Sequence, residues 1–280
     1  PIAATLLSIC DAKVAFAPFA SPLIFLFMGG FMLAQGLKTQ GLDRRVTLWL
    51  LSRNAVGGSP WRTLVALAVL SFSLSMWMSN AATIALLLPI VLGVTQSQTK
   101  DANRNVSDRD PPSLEVPPSD PQDTSAPRFA ELTLLAVAYA ASLGGMATPV
   151  GTAPNLIALD QLQARTGESF DFVEWMAVAL PTAAAILAIV LLMMRWSGAV
   201  PRVGSRDAVR AVAEQHRALG LMRPGERRVA LVFAGAAVCW LAPTLLKLTL
   251  GKGHPAVTWT SSTLDEGVVA LSAALLLCVL

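Results

Sequence analysis

Polar side chains interrupt two long apolar runs of this chain: Ser75, Ser79, Asn80 and Thr83 in Ser75-Met-Trp-Met-Ser-Asn-Ala-Ala-Thr83, and Thr148, Thr152 and Asn155 in Gly144-Gly-Met-Ala-Thr-Pro-Val-Gly-Thr-Ala-Pro-Asn155. No Asp, Glu, Lys or Arg occurs from Thr63 through Thr99 or from Leu132 through Leu159, so a ligand held there is held by neutral groups. Such groups can still be polarised. A helix restarting after Asn80, or after Pro154-Asn155, turns back on the break an N-terminus with about half a positive charge and several unpaired amides, which favours an anion. The pieces ending near Ser79 and Thr148 present free carbonyls. Together with the oxygens of Ser75, Ser79, Asn80 and Thr148 or Thr152, these suit a hard cation such as Na⁺. An anion beside a cation within an apolar chain is the chemistry of ion-coupled transport.

These residues must be positioned by elements that live in lipid. The chain is 54% hydrophobic and 14% charged, with a mean hydropathy of +0.57, against roughly a quarter charged in a soluble domain. An all-α integral membrane protein is therefore expected. The net charge of +3 is gathered in clusters flanking apolar segments, which indicates topology and no nucleic-acid partner. Cys10, Cys239 and Cys278 lie in apolar runs without ligand-like spacing and read as buried thiols. The chain opens inside one apolar run and stops inside another, as a piece of a longer protein would.

Apolar segments cover approximately residues 1–10, 20–37, 63–94, 129–159, 172–194, 229–250 and 264–280. A crossing helix needs about 20 apolar residues, and Ser79-Asn80 splits the 63–94 run into two pieces too short to cross. Lys38, Arg44, Arg45, Arg53 and Arg62 form one basic cluster, and Arg195 through Arg228 hold a second. If both are cytoplasmic, the chain between them crosses an even number of times. Segments 129–159 and 172–194 supply two crossings, so 63–95 is expected to be a re-entrant hairpin with Ser79-Asn80 at its tip. The acidic connection from Asp160 to Glu174 then falls outside.

The remaining divisions follow from composition. Residues 1–62 read as scaffold-type transmembrane helices, and 96–128, with six prolines among mixed charges, as a disordered cytoplasmic insert. Residues 129–196 read as a broken helix and the following span, 197–228 as a basic cytoplasmic linker, and 229–280 as the first spans of a second repeat. Alanines and valines among the arginines near 208–213 allow an amphipathic helix on the inner membrane surface. The basic stretch 38–62 is also cytoplasmic in this arrangement, and the membrane is expected to be the plasma (inner) membrane.

With these residues in view, the chain resembles the divalent anion/sodium symporter (DASS) family of dicarboxylate, citrate and sulfate carriers. The family pattern is a hairpin Ser-Asn-Thr, then Gly-Thr-x-Pro-Asn after a Gly-Gly. Here Ser75, Ser79, Asn80 and Thr83 match the first element, and Gly144, Gly145, Gly151, Thr152, Pro154 and Asn155 the second. Phe27-Met-Gly-Gly-Phe31 with Ala34, and Gly41-Leu42 before Arg44, are similar to the span preceding the hairpin. The resemblance implies two inverted repeats, each with a re-entrant hairpin and a broken helix, of which only one is complete here. It also implies a homodimer and elevator-like movement of a transport domain. It assigns sodium to Ser75, Ser79, Asn80 and Gly151, and the substrate anion to Asn80, Ala81, Thr83, Thr152 and Asn155.

One position departs from the pattern: Ser-Asn-Thr reads Ser79-Asn80-Ala81, which removes a hydroxyl that the family pattern offers to the substrate. Thr83 or Thr152 could replace it, or the anion could be smaller, as sulfate is. The expected function is sodium-coupled secondary transport of a dicarboxylate such as succinate or malate, or of sulfate. A dicarboxylate exchanger or a proton-coupled carrier of the same fold is the near alternative, and an anion channel a more distant one. An intramembrane hydrolase is excluded, because Ser79 has no base on its hairpin and His216 and His254 fall in predicted loops.

Overall fold

Prolines and glycines punctuate the helices where backbone chemistry requires them. The computed structural model describes residues 2–9, 11–16, 22–52, 59–107, 125–167, 170–197, 213–251 and 254–279, and no strand occurs among them. The helices in chain order are α1 (Ile2–Leu6), α2 (Ala12–Phe16), α3 (Pro22–Gln40), α4 (Leu42–Leu51), α5 (Pro60–Ser75), α6 (Asn80–Ser107), α7 (Ser125–Met146), α8 (Ala153–Thr166), α9 (Phe172–Trp196), α10 (Pro224–Leu250), α11 (Pro255–Thr263) and α12 (Glu266–Val279). Proline occupies the first turn of α5, α8, α10 and α11, where its missing N–H would have had no helical acceptor. Gly41, at φ 74°, separates α3 from α4 in a left-handed conformation that an L side chain rarely adopts.

By length and composition, three helices among the described residues could cross a membrane: Arg128–Met146, Phe172–Trp196 and Pro224–Lys247. The chain is therefore an all-α membrane protein. The 16 residues of α5 reach about 24 Å at ~1.5 Å per residue, short of the ~30 Å of hydrocarbon. The apolar part of α6, Asn80–Gly93, is shorter still.

The chain folds into two compact units. The unit formed by Gly41–Ala147 and Ala179–Met222 is organised around α5, which is apolar on two faces. Leu64, Ala68 and Phe72 face Ala136, Ala140 and Leu143 of α7 and Ala183, Leu187 and Leu191 of α9. Leu67 and Leu70 pack with Leu48 and Leu51 of α4 and Leu87 and Val91 of α6. The alanines let α5 and α7 approach closely: a Cβ on Gly144 would stand 2.1 Å from the Phe72 carbonyl oxygen. Ser71 Oγ donates to the Val137 carbonyl at 2.7 Å between the same two helices. The Arg45 guanidinium on α4 donates to the carbonyls of Leu219, Gly220 and Leu221 at 2.9–3.3 Å, tying down the turn after a short helix at 213–218.

The unit formed by Pro1–Gln40, Thr148–Val178 and Arg223–Leu280 packs α3, α10 and α12 together. Here Gly29 permits close approach, since a Cβ on it would lie 2.5 Å from the backbone of Ala270. Phe172 stacks on Trp240 with centroids 5.0 Å apart, and Trp240 Nε1 donates to the Glu266 carbonyl at 3.1 Å. The Glu266 carboxylate accepts from the Phe172 amide, and Lys247 pairs with Asp171.

Several elements differ from the sequence expectation. The apolar run at 1–10 yields only the five-residue α1. Helices α4 and α11 were not anticipated, since α4 is amphipathic beneath a run of arginines and α11 is short and rich in Thr and Ser. Helix α6 continues through Ser107, well into 96–128, because neither Gly nor Pro occurs between Gly93 and Pro111 to stop it. Residues 108–124 and the proposed amphipathic stretch at 208–212 lie outside the described residues.

Candidate functional site

The first break is a four-residue connection, Met76–Ser79, between α5 and α6. Its amides close back on the last turn of α5: Met76 N donates to Phe72 O, and Trp77 N and Met78 N both donate to Leu74 O at 3.0 Å. Ser79 then opens α6. Its carbonyl accepts from Thr83 N at 3.0 Å and its Oγ from Ala82 N at 3.3 Å, the capping role that serine fills at a helix start. Across the connection Ser75 Oγ donates to Asn80 Oδ1 at 2.7 Å, and Ser75 is fully buried. Two neutral oxygens, one from each arm of the hairpin, thus meet at the break. Ser79 and Asn80 are half-buried, Ala81 is exposed and Thr83 is fully buried.

The second break covers 147–152, between α7 and α8. Pro149 brings no N–H to this stretch, and Pro154 none to the first turn of α8, so the helical ladder lacks donors at both places. Local bonds replace it. Gly151 N donates to the Thr148 carbonyl at 3.3 Å and to Thr148 Oγ1 at 3.1 Å, and Asn155 Nδ2 donates to the Thr148 carbonyl at 2.7 Å. Thr148 is fully buried and Asn155 is 6% exposed. Thr152 is the N-cap of α8 in an extended conformation, yet its hydroxyl makes no capping bond. Val150 of this break rests on α3, where a Cβ on Gly30 would lie 3.2 Å from Val150 Cγ1.

The structure thus joins Ser75 to Asn80 at the first break, where Ser79 caps α6, and joins Thr148, Gly151 and Asn155 in a local network at the second. Asn155 turns inward, with its amide occupied in stapling the break. Two features escaped sequence reasoning. The stapling bond spans seven residues that no regular period would pair, and the close approach at Gly144 depends on the opposing helix.

Comparison with known proteins bears on the whole chain. A family model described as a citrate transporter matches residues 1–279. The sodium-dependent dicarboxylate transporter SdcS of Staphylococcus saprophyticus is 30% identical over 268 residues, which cover 93% of this chain and 46% of that protein. A protein of the same name from Staphylococcus aureus strain RF122 is 28% identical over 94% of this chain and 46% of its own length. The chain spans about half the length of these relatives. Both relatives are transporters rather than enzymes, and the match extends through both breaks. The chain belongs to the citrate transporter family, and so to the divalent anion/sodium symporters that its two broken helices resemble.

Proposed function

We propose that this chain supplies one binding half of a sodium-coupled dicarboxylate transporter of the plasma membrane, working as a homodimer by elevator-type alternating access. The observation that carries this reading is the Ser75–Asn80 bond, two neutral oxygens 2.7 Å apart at a helix break inside a charge-free interval. Carbonyls and hydroxyls at half-helix ends are the groups that coordinate sodium in broken-helix carriers. Ser75, Ser79 and Asn80 hold the cation at the first break, and the family resemblance adds the backbone at Gly151. The half-buried Asn80 and the amides opening α6 offer donors to the dicarboxylate at the first break, and the family resemblance adds Thr152. At Ala81 the substrate meets a methyl group, so it is held there by backbone amides alone.

The names of the relatives support sodium and a dicarboxylate as the paired cargo. The test is uptake of labelled succinate by the full-length protein in proteoliposomes. Uptake should saturate, rise with an inward sodium gradient and fall to background when choline replaces sodium. Uptake that is indifferent to sodium but requires internal dicarboxylate would mark an exchanger, and flux that never saturates a channel. Inhibition by sulfate at concentrations near those of succinate would extend the substrate range to the smaller dianion.

A further inference from the structure

Thr83 is fully buried, and its Oγ1 has no hydrogen-bond partner. That is unusual in this chain. Threonines inside helices elsewhere return their hydroxyl to the carbonyl four residues back: Thr47 to Asp43, Thr63 to Ser59, Thr133 to Phe129, Thr166 to Leu162 and Thr260 to Ala256, at 2.8–3.1 Å. For Thr83 the equivalent acceptor is the Ser79 carbonyl, which takes the Thr83 amide at 3.0 Å while the hydroxyl stays unbonded. Burying a hydroxyl without a partner is costly. Thr244 shares this property, but it lies in the unbroken α10, whereas Thr83 lies in the first turn after a break.

The position of Thr83 on α6 defines what it can reach. Asn80 and Thr83 are three residues apart and so are neighbours on one helix face. Leu87 and Val91 continue the face of Thr83, buried against α5 and α7. Asn80 Oδ1 is already bonded to the fully buried Ser75 Oγ. Ser75 Oγ and Asn80 Oδ1 therefore form one bonded pair at the break, Thr83 holds the position three residues along α6 from Asn80, and Ser75 and Thr83 have no exposure to solvent. A dicarboxylate, with its bulk and hydration, needs an approach that such residues do not offer. A single dehydrated cation needs only oxygens.

We infer that Thr83 Oγ1 is a sodium ligand at the hairpin break, working with Ser75 and Asn80, and is not the substrate-binding hydroxyl that its place in the motif suggested. The inference rests on the sodium-coupled reading above. Removing the hydroxyl therefore weakens sodium binding and leaves substrate recognition at saturating sodium intact.

The test compares Thr83→Val, isosteric but without the hydroxyl, with Thr83→Ser, which keeps it, and with Thr83→Ala as a second hydroxyl-free variant. Sodium binding is read without substrate, as thermal stabilisation of the purified full-length protein by NaCl over choline chloride and as the change in tryptophan fluorescence from Trp77 within the break. Thr83→Val and Thr83→Ala should need about tenfold more sodium for half-maximal response, with Thr83→Ser near wild type and the succinate KM at saturating sodium unchanged. A wild-type sodium midpoint in both hydroxyl-free variants would overturn the assignment while leaving sodium coupling standing. So would a raised succinate KM with the sodium midpoint unmoved. A wild-type protein that responds to sodium in neither binding nor uptake would overturn both readings.

Discussion

Gly144→Ala tests the packing that holds the hairpin to the first half of the broken helix. The added Cβ would stand 2.1 Å from Phe72 O and 2.8 Å from Phe72 C and Cα, all backbone atoms that no rotamer change can move aside. Relief requires α5 and α7 to separate by roughly 1 Å, a gap that forfeits a quarter to a half of each dispersion interaction across it. The affected side chains are Ala68 and Phe72 on one helix and Ala136, Ala140 and Leu143 on the other. Overpacking of a core costs about 1–3 kcal/mol, and loss of the buried bond from Ser71 to Val137 adds about 1 kcal/mol. A destabilisation of ~3 kcal/mol corresponds to a fall in Tm of roughly 6–12 °C, measurable by tryptophan fluorescence of the detergent-solubilised protein. Gly235→Ala is the control, because nothing lies within 4 Å of a Cβ placed there. If Gly144→Ala melts together with wild type and with Gly235→Ala, the close helix approach is refuted.

Other perturbations separate binding from scaffolding. Asn80→Ala should abolish sodium-dependent succinate uptake and, by taking the acceptor from the fully buried Ser75 Oγ, cost about 1–3 kcal/mol of stability; near-normal uptake would remove it from the site. Asn155→Leu deletes the amide that staples Thr148 and should cost about 1–3 kcal/mol, so stability and uptake should fall together in a melting curve and a transport assay on one preparation. Arg45→Ala releases three carbonyls around Gly220 and should speed tryptic cleavage at Arg217, followed by mass spectrometry, with little effect on global unfolding. Lys247→Met removes an ion pair with Asp171 that is partly open to solvent, so its effect on Tm should correspond to no more than ~1 kcal/mol.

Both breaks were legible in the sequence because lipid leaves irregular backbone few disguises. Ser79-Asn80 and the Pro149 to Pro154 stretch are polar or ladder-breaking residues inside runs that are otherwise apolar, and the structure interrupts its helices at both places. The long apolar helices were legible for the same reason. Helix α4 was not, because Asp43, Arg44 and Arg45 look like a loop until Leu48 and Leu51 find Leu67 and Leu87 across the packing. The extension of α6 to Ser107 was hidden by polar composition, which signals exposure more reliably than it signals the end of a helix. The unbonded hydroxyl of Thr83 is a property of its surroundings, and no pattern of residue types announces it.

Neither break contains a group that changes charge near neutral pH. From residue 63 through 99 and from 132 through 159 the chain has no Asp, Glu, Lys, Arg or His, and hydroxyls, carboxamides and backbone do not titrate there. On the proposed reading, the half of the carrier that this chain supplies has no proton of its own at the breaks to lend or lose during the cycle. The pH profile of uptake then belongs to the cargo: it should follow the ionisation of the dicarboxylate in the medium, and substrates with different acid constants should give displaced profiles on the same protein.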